Sequence, residues 1–65
     1  MNDFTDADAI MAGRMVASGK TWLDVVRELY PEAECPELLA DLTCERFRHW
    51  YKRQTPSRLM ELFHV

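Results

Sequence analysis

Glycine occurs only twice in these 65 residues and proline three times, too few for a chain dominated by loops. There is no run of apolar residues near transmembrane length, which argues against a spanning segment. The N-terminus is acidic and lacks the apolar stretch of a secretory signal, so a cytoplasmic, reducing location is expected. The two cysteines, Cys35 and Cys44, have eight residues between them and make no metal or redox spacing. Both thiols are expected to be free, with a Cys35–Cys44 disulfide as the alternative. His49 and His64 add no close-spaced ligand pair of the kind structural zinc sites use, so neither metal nor cofactor is expected. No Ser–His–Asp or Cys–His arrangement is visible, and a chain this short has little room for a substrate pocket of several hundred Å³. No catalytic residue is assigned and enzyme activity is not expected. Alternating strand patterns, repeats and low-complexity segments are also missing.

What is present is an ordinary globular balance: 48% apolar and 29% charged residues. That excludes a disordered chain. Sixty-five residues form one domain, 1–65, which buries only about 60% of its unfolded surface and is marginally stable. The net charge of −3 hides an asymmetry. Residues 1–45 carry three cations against ten acids, a net of −7, and residues 46–65 carry five cations against one acid, a net of +4. A chain so divided hints at a charged partner.

Helix signals recur along the whole chain. Thr5 or Asp3 can cap a first helix over about 5–18, with Asp6 and Asp8 at its positive end. Phe4, Ala7, Met11 and Met15 follow helical spacing there, and Ala9, Gly13 and Ala17 make a second stripe of small residues. Gly19 suits the left-handed position past the helix end. Thr21, with Asp24 three residues on, opens a second helix from Trp22 to Tyr30, which Pro31 ends. Pro31 and Pro36 bracket an acidic link, and Pro36 can start a short helical turn through Leu42. Thr43 is read as the N-cap of a third helix over about 44–54. Thr55 and Pro56 open a last helix over about 56–63. The fold expected is all-α, three or four short helices around a Trp22, Phe47, Trp50 and Tyr51 core.

The stretch "TCERFRHWYKRQTP" carries four of the eight Lys and Arg residues. At about 100° per residue, Cys44, Phe47, Trp50 and Tyr51 fall in one arc of about 120°. Arg46, Arg48, His49, Lys52 and Arg53 fall opposite, with Glu45 as the one acid. The aromatics read as core anchors and the cations as an exposed face. Such a face is the electrostatic footprint of nucleic-acid binding, and it suits an acidic protein surface equally.

"MAGRMVASGKTWLDVVREL" followed by "TCERFRHWYKR" resembles the helix-turn-helix DNA-binding families, notably the resolvase-like and homeodomain-like three-helix forms. The resemblance covers roughly residues 10–54. Twelve residues separate Tyr30 from Thr43, where the family turn has about three or four. It implies that the third helix lies in the major groove. Arg46, Arg48, His49, Lys52 and Arg53 would then meet the nucleic acid, Lys20 and Arg58 would add peripheral phosphate contacts, and Glu45 would accept from a cytosine amino group. About four phosphate contacts imply a log–log salt slope near −3.6. The leading expectation is therefore a small DNA-binding regulator. The alternative is a non-enzymatic protein-interaction module, such as a phage-type modulator or inhibitor that docks on a host protein. A homodimer through Ala9, Gly13 and Ala17 is a third expectation.

Overall fold

The computed structural model describes residues 4–63, which form four helices: α1 (Asp6–Ala17), α2 (Trp22–Leu29), α3 (Pro36–Arg53) and α4 (Pro56–Leu62). The described residues contain no strand. Local signals set most of the boundaries. Thr5 caps α1: its hydroxyl accepts from the Asp8 N–H at 3.1 Å, and its own N–H donates to Asp8 Oδ2 at 3.3 Å. Asp3, the other candidate cap, lies outside the described residues. Thr21 and Asp24 make the same reciprocal pair at the start of α2, with distances of 3.2 and 3.1 Å. The Thr21 backbone N–H, and after it the Thr21 hydroxyl, hold the Asp24 carboxyl below its ordinary value. The stabilisation from that depressed value is present above the ordinary carboxylate range and is lost only as the pH falls through the lowered one.

The α1–α2 turn closes as a Schellman motif. Gly19 N–H donates to Val16 O at 3.0 Å and Lys20 N–H to Met15 O at 2.9 Å, with Gly19 at φ +100°. That conformation suits glycine and is strained for other residues. Between α3 and α4, Gln54 adopts an extended conformation, and Thr55 caps α4 by accepting from the Arg58 N–H at 3.1 Å.

The expected break at Thr43 is absent. Pro36 sits in the first turn of α3, where its missing N–H costs nothing, and the helix runs through Thr43 to Arg53 without interruption. Thr43 is a buried interior residue rather than a cap. The connection after α2 therefore spans only residues 30–35.

α2 packs mainly on α3, and α1 packs on both. The fully buried apolar residues are Ala9 and Ala12 of α1, Val25 and Val26 of α2, and Trp50 of α3. Trp50 anchors a chain of rings. Trp22 and Phe47 stand 5.5 Å apart by centroid, Phe47 and Trp50 5.8 Å, and Trp50 meets Phe63 edge-on at 6.0 Å. Tyr51, expected in the core, is instead 48% exposed, although it touches Phe47. On α1 the inward residues are the small ones, while Ala7 and Met11 face out. Small side chains let the helix axis come close, and Gly13 shows how close. A Cβ there would stand 2.5 Å from the Phe63 ring and 3.3 Å from the Phe47 ring. Ala9 and Gly13 are thus spent on contacts within the chain, and only Ala17 of that stripe is exposed. A homodimer through the three has no continuous surface to use.

Asp6 ties three helices together. Its Oδ1 accepts from the Trp50 indole N–H at 2.9 Å and its Oδ2 from Arg58 Nη2 at 3.1 Å. The outer side of α3, from Glu37 through Asp41, Glu45 and Arg48 to Lys52, is exposed.

Candidate interaction surface

The basic segment lies on the last two turns of α3, fixed in bearing by Trp50 within and by Phe47 against Trp22. Arg48, His49, Lys52 and Arg53 are exposed there. Among the described residues there are two ion pairs: His49 Nε2 with Glu45 Oε1 at 3.8 Å, and Arg58 with Asp6 at 3.1 Å. The first is long, solvent-exposed and contributes little. Arg48, Lys52 and Arg53 have no partner in that set. The seven basic residues read from the sequence therefore separate. Arg48, His49, Lys52 and Arg53 share one helix surface. Arg58 is engaged with Asp6, and Lys20 sits exposed in the α1–α2 turn on a different element.

Arg46 departs from the expected face. It is only partly exposed, and one guanidinium nitrogen is buried without a hydrogen-bond partner. Its place on the helix borders Thr43 and Trp50, both buried. The long apolar stem accounts for this, because it can cover core while carrying the charge toward the edge. Arg46 and Tyr51 have in effect exchanged the roles the helical wheel assigns them. An unpaired buried guanidinium nitrogen is a cost, and an apolar side chain of similar length removes it. Arg46→Met is expected to be neutral or to stabilise by about 1 kcal/mol. Thermal melts would show a midpoint raised by up to roughly 4–8 °C. A clear drop would mean that the guanidinium has a stabilising partner.

Beside the cations the surface turns apolar. A groove of about 360 Å³ opens between α1, α3 and α4, lined by Gly13, Phe47, Tyr51, Leu59, Met60 and Phe63. Met60 is 76% exposed at its rim. A second, shallow hollow of about 230 Å³ shares Phe47 and Tyr51 and is bordered by Arg48 and Lys52. The two basic side chains therefore border an aromatic floor. A seven-residue helix does not disclose in its sequence the angle at which it returns to the bundle, so the groove has no sequence signal. The exposed pair Leu38 and Leu42, 70% and 40% accessible, lies on the acidic first half of α3.

Among the described residues, no three His, Cys, Asp or Glu side chains gather into a group able to hold a metal ion. His64 lies outside the described residues. Cys35 is exposed, Cys44 half-buried, and both are free. No described helix is long and apolar enough to cross a membrane. No family model matches this chain, and no curated protein or solved structure matches it.

Proposed function

We propose that this protein is a non-enzymatic protein-interaction module whose working surface is the exposed side of α3 around Arg48 and Lys52, and whose ligand is an acidic amphipathic helix. One observation carries the reading. The two cations stand exposed, without ion-pair partners among the described residues, at the border of an aromatic floor formed by Phe47 and Tyr51. An acidic helix with an apolar edge uses both features, the carboxylates meeting the cations and the apolar edge meeting Tyr51.

A duplex DNA ligand is the second reading. It is favoured by the row Arg48, Lys52 and Arg53 and by the helix-turn-helix resemblance. The order of charge along α3 weighs against it. In the helix-turn-helix arrangement the first part of the third helix approaches the bases. In α3 that part carries Glu37, Asp41 and Glu45, all exposed, and these would face phosphate.

Fluorescence anisotropy at low salt distinguishes the two. The probes are a labelled helical peptide with Glu at i and i+4 beside Leu, and a labelled mixed-sequence duplex. The peptide is expected to bind, and Arg48→Ala/Lys52→Ala to weaken it about fivefold, the loss of two exposed pairs of roughly 0.5 kcal/mol each. Preferential binding of the duplex, with a salt slope near −3 from three or four phosphate contacts, would replace this reading with the second.

A further inference from the structure

Glu37, Asp41, Glu45, Arg48 and Lys52 follow one another at steps of four, four, three and four residues, so they form a single stripe along α3. Every one of the five is exposed. Their signs run acid, acid, acid, base, base. Beside the stripe, on one edge, lie Leu38 and Leu42 and then His49 and Arg53, also exposed. Such an order is self-complementary. When two identical helices pair antiparallel about a two-fold axis, each edge of one meets the same edge of the other, and low-numbered residues meet high-numbered ones. A two-fold axis passing beside α3, level with the step from Arg46 to Phe47, brings Asp41 opposite Lys52 of the second copy and Glu45 opposite Arg48 of the second copy. Each contact then occurs twice. The neighbouring edge lays Leu38 and Leu42 against the His49 ring and the apolar stem of Arg53. Parallel pairing would instead set acid against acid.

We propose that the partner of this surface is a second copy of the chain, docked antiparallel along α3. The inference rests on the reading of Arg48 and Lys52 as contacts for an acidic helix, and it names that helix, residues 36–45 of the second copy, whose Leu38 and Leu42 meet the His49–Arg53 edge rather than the Phe47–Tyr51 floor. It also accounts for two exposed leucines beside a core in which five apolar residues are buried among the described residues, since a small core gains from self-association. The interface is isologous and closed, so the assembly stops at two chains.

Charge reversal tests the arrangement. The intact chain, examined by sedimentation velocity over a concentration series at low salt, is expected to pass from monomer to twice the monomer mass. Arg48→Glu/Lys52→Glu makes the stripe wholly acidic, and Asp41→Lys/Glu45→Lys leaves it basic except at Glu37. Each variant alone is expected to dissociate at least about tenfold more readily. All four positions are exposed, and circular dichroism would confirm that both variants remain helical. Mixed one to one, the two variants place opposite signs at all four crossings, and a heterodimer is expected to form. A parent that stays monomeric at every concentration overturns the inference, as does a dimer that survives either reversal, or folded variants that fail to pair on mixing. The acidic-peptide titration is a separate measurement, so a monomer that still binds the peptide removes self-docking alone.

Discussion

Trp50→Ala is expected to leave the chain without a cooperative fold. Trp50 is the largest residue in the buried core, 2% exposed, and it is the point at which the rings of Phe47 and Phe63 converge. Truncating a buried tryptophan to alanine costs about 3–5 kcal/mol, because transfer free energy is lost and a cavity remains. Domains have about 0.05–0.15 kcal/mol of stability per residue, which for a chain of this length is roughly 3–10 kcal/mol. The loss is therefore comparable to the whole. Far-UV circular dichroism should show a broad, non-cooperative melt where the parent shows a sigmoidal one. Trp22→Ala should be milder, since Trp22 is only partly buried and touches the cluster through Phe47 alone. A Trp50→Ala variant that melts within a few degrees of the parent would contradict the placement of the core.

The elements with local causes were legible in the sequence. Thr5 with Asp8, Thr21 with Asp24, Gly19, and Thr55 with Pro56 each satisfy a helix end within a few residues, so chain order alone locates them. The misses share another cause. Thr43 has the side chain of a cap, and nothing nearby in sequence shows that it is buried. Only the tertiary partner overrides the local preference. The helical wheel ordered α3 correctly, yet it could not fix the bearing of the neighbours. The buried side centres on Thr43 and Trp50 rather than on Phe47 and Tyr51, which draws Arg46 inward and leaves Tyr51 at the surface. On α1 the large residues suggested an inner face, but close approach selected Ala9 and Ala12. The candidate surface was partly legible for the same reason. The cations Arg48, His49, Lys52 and Arg53 follow from periodicity alone. The groove beside them depends on where α4 returns, and that depends on Phe63 filling the space over Gly13.

Asp6→Ala is expected to destabilise the domain by about 2 kcal/mol, a fall of roughly 10 °C in the melting midpoint. Asp6 is an exposed residue at the first position of α1, and removing such a side chain ordinarily costs little. Here one carboxylate serves two helices besides its own. Oδ1 takes the Trp50 indole N–H at 2.9 Å, and Oδ2 takes Arg58 at 3.1 Å. The two contacts are unequal. The indole belongs to a buried side chain, so losing its acceptor strands a donor at a cost of about 1–3 kcal/mol. The Arg58 pair is half-exposed on both sides and contributes well under 1 kcal/mol. Asp6→Asn retains an oxygen for the indole and discards only the charge, so it should lose about 0.5 kcal/mol. Arg58→Ala should resemble Asn rather than Ala. A double-mutant cycle with Trp50→Phe isolates the larger contact. Phenylalanine keeps a ring in the core and has no N–H, so Asp6→Ala made on that background should cost about 1 kcal/mol less than in the parent. Equal costs on the two backgrounds would mean that Asp6 acts through Arg58 and the N-terminal dipole of α1 and not through the indole. Unequal costs would identify the carboxylate as the clamp that holds α1 and α4 on the Trp50 side of α3. The groove between those three helices exists only while they are held there.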